Sequence, residues 1–174
     1  TTIAEAERRG THLGAILVAR AWTNEAFKEL LLRNGPAACE EVGINGVITA
    51  DPEAILSADK VIFPGVGSAE SAVDTLQKRG IFEALLSFYA SGKPFLGICL
   101  GSQILLAHSE EGDKDCLGIV PGSCERFDYS DRTLKVPHMG WNEIEISQAH
   151  PMLKNVQSGD EFYFVHSYYT RPRA

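Results

Sequence analysis

The sequence has 174 residues, enough for one domain with a sizeable core, and its 44% apolar and 22% charged content argues against a disordered chain. With 23 acidic against 16 basic residues the net charge is −7, a sign that repels nucleic acid and anionic membrane surfaces. The longest apolar runs, such as Ala15 to Ala19 and Pro94 to Leu100, are far too short to span a bilayer.

In chain order, the opening TTIAEAERRGTH lacks an apolar core, so no secretory signal is expected, and the charged run Glu5 to Arg9 reads as a solvated face. His12 to Arg20, with its GAILVA run, predicts a buried strand. Trp22 to Arg33 is amphipathic, pairing Ala26 with Leu30 and Phe27 with Leu31 at i, i+4, and Asn34-Gly35-Pro36 is a stop signal for that helix. Val42 to Thr49 predicts a second strand. Asp51-Pro52 opens a short helix, Asp as the N-cap and Pro at the first helical position. Lys60 to Phe63 predicts a third strand, closed by Pro64-Gly65-Val66-Gly67. Ser68 caps a helix through Leu76 that Gly80 breaks, and Phe82 to Tyr89 forms another that ends at Gly92. Pro94 to Ile98 predicts a fourth strand and Gly101 to His108 a helix.

Strands and helices alternate to this point, as in a parallel sheet with helices on both faces. Past Gly112 the segments around Ile119, Arg126, Lys135, Ile144 and Tyr163 read as short strands between turns, an antiparallel extension of that sheet. The expected fold is α/β: an open, mostly parallel sheet flanked by helices. No repeat or linker divides the chain, so residues 1–174 are read as one domain.

Cys39, Cys99, Cys116 and Cys124 form no CxxC pair and have no histidine at zinc-like spacing, which argues for reduced thiols in a cytosol-like compartment and for no metal or cofactor. Cys99 stands apart. A buried strand runs into Gly97-Ile98-Cys99-Leu100-Gly101 and straight on into a helix, the nucleophile-elbow pattern with sulfur in place of oxygen. The nucleophile must stand up from a tight turn, so its neighbours must be small, and Gly97 and Gly101 supply the room. A helix N-terminus favours the thiolate, and the Leu100 N–H is placed to receive an oxyanion. Gly67, at the end of another strand, offers a second unobstructed N–H, since sites in open α/β sheets form beyond the carboxyl ends of strands.

GICLGSQ and FPGVG together resemble the class I, triad-type glutamine amidotransferases. Three further stretches, GIVPGSCER from Gly118, KVPHMGWN from Lys135 and YFVHSY from Tyr163, are similar to the glutaminase subunits of imidazole glycerol phosphate synthase, with the resemblance strongest over residues 41–168. The resemblance implies glutamine hydrolysis to glutamate and ammonia. The ammonia would pass to a barrel-shaped cyclase partner in a cytoplasmic heterodimer of histidine biosynthesis. It implies Cys99 as nucleophile, Leu100 and Gly67 as the oxyanion region, and Gln103 and Glu111 as holders of the glutamine's amino and carboxylate ends. His166, Ser167 and Tyr168 would line the pocket by their backbone, and Met139, Trp141, Asn142 and Tyr163 would face the partner.

Two departures from the family pattern carry expectations of their own. The sequence contains no Phe-His-Pro-Glu motif, which in the family holds the triad's His and Glu, and Arg20 to Glu40 replaces the family's Asp-Tyr-Gly-x-Gly-Asn turn. Glutaminase activity is therefore expected to be severely reduced, because a thiol needs a base to take its proton and return it to the leaving ammonia. His138 is read as turn or interface packing and His166 as a pocket wall, not as substitute bases. His12, His108 and His150 have no motif context and are read as surface residues. Glu110-Glu111 reads equally as a solvated helix end. The alternatives are a truncated or non-catalytic partner-binding copy, another class I amidotransferase, or a different cysteine hydrolase on a flavodoxin-like fold.

Overall fold

Capping and turn chemistry set the helix boundaries. The computed structural model describes residues 24–41, 43, 46–130, 134–154 and 156–173, the side chains of 36 and 39 excepted. The expected strand at His12 to Arg20, the charged run Glu5 to Arg9, the start of the first helix at Trp22 and the side chain of Cys39 lie outside them. The chain forms two compact units: residues 1–49 with 151–155, and residues 50–150 with 156–174.

In the first unit, α1 (Glu25–Arg33) starts where the Asn24 side chain accepts the Phe27 N–H and places Glu25 in its first turn and Arg33 in its last. The expected stop at Asn34-Gly35-Pro36 ends α1 but also begins α2 (Gly35–Glu40), since Asn34 Oδ1 accepts the Ala37 N–H and proline fits a first turn that has no use for its N–H. Phe27 and Ala38 are buried together, with Leu30 and Leu31 against them. The second strand expected at Val42 to Thr49 is not formed over its described part: Gly46 to Thr49 is irregular and Val47 and Ile48 are exposed. An apolar run becomes a strand only where another backbone edge pairs with it, and among the described residues none does.

The second unit opens on α3 (Pro52–Ser57), with Asp51 accepting the Glu53 N–H as foreseen. Strand β1 (Val61–Gly65) is followed by α4 (Ala69–Lys78), capped by Ser68, and α5 (Ile81–Ala90), entered through Gly80 in the left-handed region at φ 68°. Strand β2 (Phe95–Cys99) pairs in parallel with β1 and runs into a single helical turn, α6 (Leu100–Gln103). The expected helix from Gly101 to His108 is therefore cut short. Leu106–Ser109 is strand β3, whose backbone pairs with β5 and which buries Leu106 and Ser109, a gain the local apolar pattern does not encode.

Beyond it lie β4 (Lys114–Asp115), β5 (Val120–Arg126), β6 (His138–Glu143), β7 (Glu161–His166) and β8 (Tyr168–Pro172). The strands expected near Ile119 and Arg126 are one strand, β5. Lys135 and Ile144 flank β6 without joining it. Strands β4, β3, β5 and β8 form a mixed sheet in that order, and β6 and β7 form a separate antiparallel hairpin. The fold is thus mixed α/β, parallel in β1–β2 and β3–β5 and antiparallel elsewhere.

The core gathers Ile55, Val73, Leu76, Ile81, Leu85, Phe88, Leu100, Ile104 and Leu117, with Val61, Phe63 and Phe95 packed on it from one face of β1–β2. The other face leaves Ile62 and Ile98 exposed, in contrast to the double burial usual for parallel strands. Among the described residues no helix is long and apolar enough to cross a membrane.

One ion pair ties α4 to β4: Lys114 Nζ lies 2.6 Å from Asp74 Oδ1. The Lys114 hydrogen bond holds the Asp74 carboxyl below its usual value. A depressed carboxyl pKa contributes stability that is present above the ordinary carboxylate range and lost as pH falls through the folded-state value. In urea titrations at a series of pH values, Asp74→Asn is expected to lower the midpoint near neutrality, with the difference from the parent vanishing in acid. A constant difference down to low pH would show that the pair is not the source.

Candidate active site

Three glycines build the turn around Cys99. A Cβ on Gly97 would lie 2.8 Å from Ser102 Cα and 2.9 Å from the Gly101 carbonyl carbon, and one on Gly101 would overlap the Phe63 carbonyl oxygen. One on Gly65 would come within 3.1 Å of the Gly101 nitrogen. Strand β1 therefore presses directly on the first turn of α6. Cys99 itself takes φ 55° and ψ −121°, a conformation that side-chain-bearing residues adopt only at a cost of about 1–3 kcal/mol. Ser102 Oγ donates to the Cys99 carbonyl at 2.7 Å and so holds the peptide behind the thiol. The thiol is exposed while Leu100, next along, is buried in the core. This is the strand–elbow–helix arrangement read from the motif, although α6 is one turn long, so the helix field at the thiol is that of a single turn.

The β1–β2 register sets Gly65 opposite Cys99, so the Val66-Gly67 loop leaves β1 beside the elbow. Gly67 has φ 97° and open space where a Cβ would stand. A cavity of about 310 Å³ lies between this loop, Ser71 and Thr75 of α4, and Leu100.

Glu110 and Glu111 do not end a helix. They sit in the turn after β3, where Glu111 Oε2 accepts the Ala69 N–H at 2.8 Å, two residues past Gly67, and Glu110 Oε2 accepts the Arg126 N–H at 2.7 Å. Gln103 Nε2 donates to the Tyr168 carbonyl at 3.1 Å. Gln103 and Tyr168 are therefore in direct contact behind the elbow, and Glu111 is tied to the start of α4 just past the Gly67 loop. No side chain among the described residues hydrogen-bonds the Cys99 thiol. Cys116 and Cys124 are buried, and burial pushes their thiols up to about 11 and about 12, which leaves Cys99 as the accessible sulfur of the three.

The four residues expected at a partner surface lie on the β6–β7 hairpin but divide between its faces. The register pairs Met139 with Val165 and Trp141 with Tyr163, all exposed on one face. Asn142 points to the other, where its Oδ1 lies 3.2 Å from His138 Nε2. His138 and His166 are directly opposed in the same register, a pairing invisible in a sequence that separates them by 28 residues.

Comparison with known proteins decides the family. Three bacterial proteins described as imidazole glycerol phosphate synthase subunit HisH align over most of the chain. That of Thiobacillus denitrificans is 45% identical over 149 residues, covering 81% of this chain and 65% of its own length. Those of Synechococcus elongatus and Nitratidesulfovibrio vulgaris are 48% and 47% identical, covering 76% and 78% of this chain and 61% and 66% of their own. The chain belongs to the HisH-like class I glutamine amidotransferases. It spans just under two thirds of the length of these relatives. Residues 1–61 match a different family model, described as nitrile hydratase, alpha chain. That match takes in Arg20 to Glu40, where the amidotransferase motifs are absent, and it covers too little of the chain to define it.

Proposed function

We propose that the chain supplies the thiol half of a glutaminase, and that Cys99 attacks the side-chain amide of glutamine. The observation that carries this reading is the strained, glycine-enclosed elbow that presents Cys99 beside the Gly65-Val66-Gly67 loop. In it Cys99 Sγ adds to the carboxamide carbon, and the N–H groups of Leu100 and Gly67 receive the oxyanion. Collapse breaks the C–N bond, releasing ammonia and leaving a glutamyl thioester, which water hydrolyses to glutamate. Gln103, Glu111 and the backbone of His166, Ser167 and Tyr168 hold the substrate's amino-acid end. The proton that leaves the thiol and reaches the amide nitrogen needs a base, and the described residues offer none in contact with Cys99.

The relatives are described as one subunit of a synthase. On that ground the exposed Met139, Trp141, Tyr163 and Val165 face is proposed to dock the cyclase subunit that would receive the ammonia, with Asn142 acting from beneath it. The amidotransferase portion is proposed to be the second compact unit. A cytoplasmic setting fits the free thiols of Cys99, Cys116 and Cys124.

The test is treatment with a glutamine-directed electrophile followed by peptide mass spectrometry. A single adduct at Cys99, suppressed by excess glutamine, is the expected result. Labelling that ignores glutamine, or spares Cys99, sinks the reading. Ammonia release with a cyclase subunit present then separates a catalytic chain from one that only binds its partner.

A further inference from the structure

A chain of polar contacts crosses the second unit from the hairpin to the elbow helix. His166 Nδ1 lies 2.8 Å from the Tyr168 carbonyl oxygen, and its Nε2 lies 3.2 Å from His138 Nδ1. The same carbonyl accepts from Gln103 Nε2 on α6. Both of its lone pairs are thus engaged, one by each side chain.

A carbonyl oxygen can only accept, so His166 Nδ1 must carry the ring's hydrogen. Its Nε2 is then bare and accepts from His138 Nδ1–H. With both rings neutral, a half-turn of the Asn142 amide brings its N–H to His138 Nε2 and completes the series. Packing fixes the His166 ring: Phe127 meets it edge-on at 4.9 Å between centroids, and Phe164 lies 5.7 Å away. Sequence reading makes His166 a pocket wall that acts through its backbone. The side chain does something the backbone cannot, because Tyr168 begins a new strand after the bend at Ser167.

We propose that the His166 side chain is a positioning residue: it clamps the Tyr168 carbonyl that holds Gln103, and His138 anchors the clamp to β6. The geometry is independent of the glutamine reading, and its consequence for substrate rests on that reading. Gln103 lies four residues past Cys99, on the single turn that follows the elbow. A free Tyr168 carbonyl would leave its amide without this fixed acceptor.

Three variants separate the two bonds of His166. Asparagine places an amide N–H near the Nδ1 position, glutamine places one near the Nε2 position, and phenylalanine keeps the ring shape without either. Two measurements read them. The first is nitrogen NMR of histidine-labelled protein together with hydrogen exchange of the Gln103 side-chain amide, which needs no substrate. In the parent, His166 is expected as the Nδ1–H tautomer. Gln103 exchange should quicken about tenfold in His166→Phe and His166→Gln, the loss of one net hydrogen bond, and return most of the way in His166→Asn. The second is the rate of Cys99 labelling by the glutamine-directed electrophile, expected to follow the same order. An Nε2–H tautomer in the parent, or equal Gln103 exchange in all three variants, overturns the proposal. If the parent itself is not labelled, the glutaminase reading falls while the exchange data still decide the clamp.

Discussion

Cys99→Gly is expected to abolish labelling and any glutaminase activity while raising the unfolding midpoint, and Cys99→Ala to abolish both without that gain. Either substitution takes away the thiol proposed to form the thioester, and loss of such a nucleophile costs several orders of magnitude in rate. The stability side follows from the backbone. At φ 55° and ψ −121° a residue with a Cβ bears strain of about 1–3 kcal/mol, which glycine escapes. Glycine's freer unfolded chain offsets up to about 1 kcal/mol of the gain. The exposed thiol buries little that either substitution would forfeit. The net expectation is that glycine exceeds alanine by about 1 kcal/mol, or about 2–4 °C in a chain of this size, read by parallel thermal melts. If alanine equals or exceeds glycine, the elbow is not strained and its geometry is not what exposes the sulfur.

Gly101→Ala is expected to carry the largest stability cost. Its Cβ would be driven into the Phe63 carbonyl oxygen, a backbone atom of β1 that no rotamer change can move. Relief requires β1 and α6 to separate, which loosens the packing of Leu100 and Phe63 together. Overpacking of this kind costs about 3 kcal/mol or more, and a fall in the melting midpoint on the order of 10 °C is expected. In the folded fraction Cys99 labelling should slow as well, since the Gly65–Cys99 register is what places the Val66-Gly67 loop beside the thiol. A melt within 2 °C of the parent, about the shift of 1 kcal/mol, would contradict the contact.

Much of the site could be read without coordinates because its determinants are local. A glycine two residues either side of Cys99, an apolar strand before it and a second glycine-ended strand at Gly65 make an elbow wherever they occur, since steric room and strand polarity are properties of adjacent residues. The caps at Asp51 and Ser68 were legible for the same reason: each is satisfied within three residues. The resemblance to the amidotransferases rested on the same short stretches, and identities of 45–48% over about four fifths of the chain agree with it.

What the sequence could not decide depends on partners distant along the chain. Leu106–Ser109 reads as a helix continuation by apolar spacing and becomes a strand because β5 lies alongside. Val47 and Ile48 read as a strand and stay irregular because, among the described residues, no edge meets them. Glu111 reads equally as a solvated end or a substrate ligand, and its bond to the Ala69 N–H crosses 42 residues. The His138–His166 pair depends on the hairpin register, which a long connection between β6 and β7 leaves unfixed by any two-residue turn rule. The sequence by itself determined the glycine-enclosed turn at Cys99, through steric demands among neighbours, and the family, through the short motifs around it. Only the tertiary structure decided which side chains meet behind that turn, because hydrogen bonds between distant strands follow from register and packing, not from composition or spacing.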